Sequence, residues 1–269
     1  MNLGEKLVVP PGKKVKLDHF DADDSLGLKK NDKTQADLKK VLARLDQIQY
    51  LLYAERQHAL LVVLQSIDAG GKDGTIRHVM SGLNPQGCRV TSFKAPTAEE
   101  SGHDFLWRVH KAVPIKGEIG IFNRSHYEDV LVVRVHQLEP EAVWSKRYDQ
   151  INDFEKTLTE SNVTILKFFL HISKDEQKQR LEERLEDRTK RWKVSPADFQ
   201  ERKLWNEYQK AYEVALSRCS TPWAPWYIIP ANKKWFRNLA VSHIMLRALE
   251  GLNLKYPKPA FDLSQFKLK

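Results

Sequence analysis

Ala59-Leu60-Leu61-Val62-Val63-Leu64-Gln65-Ser66-Ile67-Asp68-Ala69-Gly70-Gly71-Lys72-Asp73-Gly74-Thr75-Ile76-Arg77 decides how the chain is read. It opens with an unbroken apolar run, the pattern of a strand buried on both faces. The run stops at a loop with three glycines, and a helix can start at about Gly74. Strand, glycine loop, lysine and helix together form the layout of a phosphate-binding loop. Glycines let backbone N–H groups converge on phosphate oxygens, and the helix N-terminus adds partial positive charge. Ala69, Gly70, Gly71, Asp73, Gly74, Thr75 and Arg77 are therefore the candidate phosphate-binding positions, and Lys72 supplies a mobile full charge. Against the G-x-x-x-x-G-K-[ST] pattern, Ser66 stands at the first glycine and Asp73 at the hydroxyl that normally meets Mg²⁺. Asp68 or Thr75 must then serve the metal, or the metal sits elsewhere. The bland alternative is an ordinary glycine turn.

Working outward, residues 33–56 carry apolar side chains at helical spacing (Leu38, Val41, Leu42, Leu45, Ile48, Leu52) and predict a helix over one face of a sheet. After the loop helix, Gly82 to Gly87 is turn chemistry and Arg89–Phe93 a second strand. Thr97 with Glu100 forms a capping box for a helix expected to reach His110. Glu118–Phe122 is the third strand, ending in Asn123-Arg124-Ser125-His126-Tyr127-Glu128-Asp129. A second strand of a phosphate-loop protein carries a metal-managing acid at this end. Here that place holds Asn123, with Glu128 and Asp129 further on, so Asp68 and Glu128 are the candidate metal ligands. Arg124 is placed to neutralise a moving phosphoryl group.

One helix is expected over 140–162, with Val143 on its inner face, and a fourth strand over 163–172. Ser173 caps the helix that follows. That helix runs into Arg184, Arg188, Lys190, Arg191 and Lys193 before Pro196, read as a cationic lid with too few acids nearby to neutralise it. On the same reading, Arg180 belongs to a solvated helix face of mutually neutralising charges. Helix 204–216, a fifth strand over 223–230 and a helix over 235–249 complete the chain. Trp205, Tyr208, Tyr212, Trp223 and Trp226 are read mainly as core. The division expected is an irregular N-terminal arm (1–34), one phosphate-loop α/β domain (35–255, lid at about 180–200) and a tail (256–269).

The chain has 269 residues and 41% hydrophobic content, enough for one sizeable α/β domain. No stretch approaches the roughly 20 apolar residues of a membrane span. Two cysteines give neither a disulfide framework nor a zinc spacing, and a reducing cytoplasm is the expectation. A net charge of +9 and a pI near 9.4 point to a polyanionic partner. No helix-turn-helix or aromatic single-strand platform accompanies that charge, so a nucleic acid is not the expected anion.

Four stretches together, Asp68–Thr75, Phe122–Val132, Lys190–Asp198 and Ala224–Tyr227, resemble the polyphosphate kinase 2 family. The resemblance implies an α/β, P-loop kinase-like fold similar to thymidylate kinase. Its three layers are a five-stranded parallel sheet with helices on both faces, topped by a helical lid. It implies reversible phosphoryl transfer between inorganic polyphosphate and adenine nucleotides, with guanine nucleotides as further acceptors. Mg²⁺ is the implied cofactor, with Mn²⁺ as a substitute. A homo-oligomer, dimer or tetramer, is implied, with neither membrane nor nucleic acid as partner. Asp68 and Lys72 match the family's loop aspartate and lysine, and Asn123-Arg124 falls where many members have Asp-Arg. Neutral Asn123, followed by Ser-His-Tyr-Glu-Asp, is similar to the subgroup called class III, which accepts nucleoside mono- and diphosphates. An ATP-dependent nucleotide kinase with the same loop and lid remains the competing reading.

Overall fold

The computed structural model describes residues 2–262 and 265. Its elements follow in order: α1 (Leu3–Leu7), α2 (Asp32–Glu55), β1 (Ala59–Gln65), α3 (Lys72–Val79), β2 (Cys88–Ser92), α4 (Ala98–Ser101), α5 (Trp107–His110) and β3 (Ile119–Asn123). The second half holds α6 (Glu128–Val135), α7 (Glu141–Trp144), α8 (Arg147–Glu160), β4 (Val163–His171), α9 (Lys174–Glu186), α10 (Pro196–Lys203), α11 (Trp205–Arg218), β5 (Trp226–Pro230) and α12 (Lys234–Gly251).

All five strands run parallel, in the order β2-β3-β1-β4-β5. The central strand is β1, and every one of its seven residues is buried. That is why it reads as a continuous apolar run: helices cover both faces, so no position alternates toward water. Truncating one of these side chains, as in Leu61→Ala, would cost about 2–5 kcal/mol. The helices α1, α2, α3 and α12 pack with one another, and α6, α8 and α11 form a second group. The sheet lies between the two layers, the arrangement right-handed crossovers impose on this strand order. The connection after β1 leaves toward one group and that after β3 toward the other. The crevice for a ligand therefore opens at the carboxyl ends of β1 and β3.

The start of α2 is a reciprocal cap between Asn31 and Thr34, and its buried face carries Val41, Leu45, Ile48 and Leu52. Buried Gln49 on the same face donates to the backbone carbonyl of Asn84 and accepts from its backbone N–H, which pins the predicted turn before β2.

Several expectations need correction. The helix expected from Thr97 to His110 is two short pieces: the Thr97–Glu100 box forms, but the helix stops at Gly102. The helix expected over 140–162 breaks between Trp144 and Arg147, and Val143 is exposed rather than inward. The N-terminal arm is more ordered than its polar composition suggests. It contains α1 and a 3₁₀ turn, buries Leu3, Leu7, Val9, Val15 and Leu17, and bridges Val8 antiparallel to Tyr227 on β5. Of the tail expected over 256–269, residues 263, 264 and 266–269 lie outside the described residues. Among the described residues, no helix is long and apolar enough to cross a membrane.

Candidate active site

The loop after β1 is shaped by contacts from behind as much as by its glycines. Ala69 adopts a left-handed backbone (φ 62°) and Gly71, which caps α3, another (φ 101°). With Gly71 as cap, α3 begins at Lys72, two residues earlier than Gly74. From α9, Gln177 donates to the Asp68 carbonyl at 3.0 Å and Arg180 to the Ala69 carbonyl at 3.0 Å. Arg180 also reaches the Ala231 carbonyl and pairs with Glu176, both at 2.6 Å. It is 6% exposed, so the reading of Arg180 as a solvated surface charge is wrong. It ties the loop to the strand end of β5. Gly70 has no room for a side chain, because a Cβ there would collide with Ser66. Ser66 in turn accepts Lys72 Nζ on both its carbonyl (3.1 Å) and its hydroxyl (3.0 Å). The serine in place of a glycine thus adds a hydroxyl to the backbone carbonyl, and the two oxygens together position the loop lysine.

The turn after β3 supplies the opposite wall. Arg124 is left-handed (φ 62°), and this aims its guanidinium back at the loop, where Nη2 meets Asp68 Oδ1 at 2.6 Å. Glu128, one turn further on, lies 3.6 Å from Arg124 Nη1. Burial pushes the Glu128 carboxyl up against the pull of Arg124 and Lys72. Burial also lowers the Lys72 ammonium to about 8, with the like charge of Arg124 adding to the effect. Asn123 Nδ2 donates to Asp73 Oδ1 at 3.0 Å, and lid residue Lys193 meets Asp73 Oδ2 at 3.0 Å. Those two bonds overcome burial and hold the Asp73 pKa down.

The next three residues of the turn do not face the site. Ser125, His126 and Tyr127 are fully buried, and Tyr127 and His126 bond Glu155 on α8 at 2.9 and 3.2 Å. Lys167 on β4 completes this network, 2.5 Å from Glu155 and 2.6 Å from the Cys219 carbonyl. The network fixes the peptide that carries Arg124 and Glu128.

Loop, turn and lid enclose a cavity of 870 Å³. Asp68, Ala69, Gly70, Gly71, Lys72, Asp73, Gly74, Arg77, Asn123 and Arg124 all line it, and so do Arg184, Lys190 and Lys193 from the lid. Four expected site residues, Thr75, Glu128, Arg188 and Arg191, do not. The Thr75 hydroxyl is buried and bonds the Gly71 carbonyl at 3.1 Å, so it is turned away from the cavity and from any metal there. Arg191 points its Nε to the Leu185 carbonyl at 2.8 Å, and Arg188 is exposed outside the lining. The lid cations are also less bare than the sequence suggests: Lys190 pairs with Asp187 at 2.7 Å and Arg184 with Asp198 at 3.4 Å. Glu128 lines a small adjoining pocket with Asp68, Arg124 and Tyr208.

Sequence reasoning missed four contributors: Gln177 and Arg180 behind the loop, Arg237 at the start of α12, and Trp192. Trp192 is 77% exposed on the cavity wall, with Lys193 Nζ 5.1 Å from its ring centre. Its indole N–H is fixed to the Thr189 carbonyl at 3.0 Å. Of the aromatics considered for base stacking, Trp205, Tyr212 and Trp226 are core. No local sequence signal marks Arg180 or Arg237, because only the packing of α9 and α12 behind the loop brings them to it.

Among the described residues, no three His, Cys, Asp or Glu side chains group closely enough to cage a metal by themselves. The carboxylates at the cavity, Asp68 with Glu128 beside it, fit a hard divalent ion that brings phosphate oxygens and water as most of its ligands.

A parallel sheet in this strand order, a glycine loop after its central strand and a cationic lid over it define a P-loop kinase-type phosphotransferase. The family model for polyphosphate kinase 2 matches residues 28–257. This chain belongs to the polyphosphate kinase 2 family. It is 56% identical over 256 residues to the AMP/ADP-polyphosphate phosphotransferase of Meiothermus ruber, covering 95% of this chain and 96% of that protein. An ADP-polyphosphate phosphotransferase of Rhodopseudomonas palustris is 48% identical, covering 82% and 81% of the two chains. The crystal structure of polyphosphate kinase 2 from Arthrobacter aurescens TC1 superposes with a TM-score of 0.93 at 46% identity, covering 98% of this chain and 94% of that one.

Proposed function

We propose that the protein transfers a phosphoryl group reversibly from inorganic polyphosphate to AMP and ADP, giving ADP and ATP. The observation that carries this is the distribution of charge around one cavity. Lys72, Arg77 and Arg124 stand on the sheet side and Arg184, Lys190 and Lys193 on the lid side, so an anionic donor and an anionic acceptor can be clamped together. The name and 56% identity of the Meiothermus ruber relative support the choice of both acceptors.

The chemistry asks for alignment and charge neutralisation rather than covalent help. An acceptor phosphate oxygen is already anionic, so no strong general base is required. Three of the cations at the cavity already rest on a protein oxygen: Lys72 on Ser66, Arg124 on Asp68, Lys193 on Asp73. A phosphate oxygen can replace those partners with little rearrangement, which is the preorganisation that stabilises spreading negative charge. Asp68 and Glu128 would hold Mg²⁺, or Mn²⁺ in its place, and the ion supplies further neutralisation of the phosphates. Lid closure over the cavity excludes water and so protects the transferring group from hydrolysis.

The deciding experiment compares donors. The protein is incubated with AMP or ADP plus polyphosphate, and separately with AMP plus ATP, and products are resolved by chromatography. ADP and ATP formed from polyphosphate support the proposal. ADP formed only when ATP is the donor would make the protein an ordinary nucleotide kinase.

A further inference from the structure

The loop glycines Gly71 and Gly74 face an arginine rather than only the cavity. A Cβ on Gly71 would overlap Arg237 Nη1, and one on Gly74 would lie 3.3 Å from Nη2. Arg237 stands in the first turn of α12 and is 2% exposed. Its Nε and Nη2 donate to the neutral Asn238 Oδ1 at 3.1 and 2.8 Å. Among the described residues it forms no salt bridge, and the charged group that most affects it is the like charge of Arg180. Arg180 differs, because Glu176 neutralises it.

We infer that Arg237 is a positioning residue for the phosphate chain: its buried charge, pressed against the back of the loop, has the bound polyphosphate as its counter-ion. A buried guanidinium with no carboxylate beside it carries an uncompensated desolvation cost, which a bound anion would offset. Burial and Arg180 lower its pKa to about 10, which still leaves it charged at neutral pH. It adds to the partial positive charge of the α3 N-terminus, so both act in the same direction on an anion at the loop. It does not line the cavity, and its effect passes through the thin glycine backbone at Gly71 and Gly74. On this account those glycines keep a charge close to the phosphates from the rear, while their N–H groups meet them from the front.

The inference rests on the phosphate-binding reading above, and inorganic tripolyphosphate is the probe that tests it. Calorimetric Kd and melting temperature with and without tripolyphosphate are measured for the parent, Arg237→Met, Arg237→Lys and Asn238→Asp. Arg237→Met should weaken tripolyphosphate binding on the order of tenfold, and shrink the ligand-induced rise in melting temperature. Arg237→Lys should keep most of the affinity. Asn238→Asp leaves Arg237 and its hydrogen bonds in place but supplies a carboxylate. It should raise the melting temperature without ligand and weaken tripolyphosphate binding, and it answers the question even if Arg237→Met does not fold. Affinity within twofold of the parent for Asn238→Asp would overturn the inference, as would equal losses for the lysine and methionine variants. A parent protein that turns over polyphosphate while Asn238→Asp binds tripolyphosphate unchanged would overturn the role of Arg237 alone.

Discussion

Replacing Lys167 with methionine tests the buried network beneath the active-site turn. Lys167 and Glu155 are both 0% exposed and lie 2.5 Å apart. The substitution keeps the unbranched shape, one atom shorter, but leaves Glu155 with only His126 and Tyr127 as partners, and strips the Cys219 carbonyl of its donor. Breaking one side of a buried ion pair costs about 3–5 kcal/mol. For a chain of this size, at roughly 2–4 °C per kcal/mol, the melting temperature should fall by about 6–20 °C. The pH dependence gives a sharper readout. In the parent, burial works against the Glu155 carboxylate, but Lys167 and His126 outweigh it and the pKa is lowered. A lowered carboxyl pKa contributes stability above the unfolded value, about 4.3, and loses it only as pH falls through the folded value. Glu155 therefore adds no slope between pH 6 and 8 in the parent. Without Lys167, burial dominates, the carboxyl pKa rises above the unfolded value, and the sign reverses. The variant's deficit relative to the parent should then shrink as pH falls from 8 toward 5.5. Urea denaturation followed by tryptophan fluorescence at both pH values measures it. The double variant Lys167→Met/Glu155→Gln should recover much of the loss, with coupling on the order of 2 kcal/mol. A deficit below about 1 kcal/mol at pH 8, or strictly additive losses in the double variant, would refute the reasoning.

Asp68→Asn and Lys72→Ala should each cut turnover by orders of magnitude, about 3 kcal/mol or more of transition-state stabilisation, with melting temperature little changed. Near-parental turnover in folded variants would count against their place in the chemistry. Lys193→Ala and Lys190→Ala should lower kcat/KM about tenfold or more, whereas Arg188→Ala should change it little. Polyphosphate should also protect the parental lid from trypsin, and equal sensitivity of the three variants would dissolve the distinction. Because Lys72 is lowered to about 8 by burial and Arg124, kcat/KM should decline as pH rises through that value while the ammonium loses its proton. A profile flat to pH 9.5 would contradict this. Asn123→Asp would set a carboxylate opposite Asp73, beside the place where an AMP phosphate must reach deepest. It should depress kcat/KM for AMP more than for ADP, and equal losses would remove Asn123 from acceptor choice.

The fold was legible because its sheet is buried on both faces. Four of the five strands announce themselves as apolar runs, while edge strand β2 (Cys88–Ser92) is polar and partly exposed and is marked mainly by the turn before it; caps such as Ser173 and the Thr97–Glu100 box bond as their spacing predicts. What failed was local continuity: neither the stop at Gly102 nor the break after Trp144 interrupts an apolar period strongly enough to be read. The same holds for the site. Asp68, Lys72 and Arg124 stand at strand ends, where topology alone collects them. Arg180 and Arg237 are invisible as site residues, because a charged residue in a helix reads as solvent-facing until the packing behind the loop is known. The lid was overcounted for a related reason. Lys193 finds its acid 120 residues away at Asp73, a partner no local window contains.

The strand order has a consequence for how the chain is made. The middle strand, β1, is translated first, yet neither of its sheet neighbours is the next strand in sequence: β3 begins at Ile119 and β4 at Val163. During synthesis at about 5–20 residues per second, the most apolar segment of the protein waits several seconds with both edges unpaired. It waits longest for β4, which supplies its longer pairing, from Ala59 opposite Val163 to Gln65 opposite Phe169. Contacts of such sequence separation fold slowly and leave strand edges open to other chains. The segment that later carries the phosphate loop is thus the one most in need of shielding by chaperones while the ribosome completes the second half of the sheet.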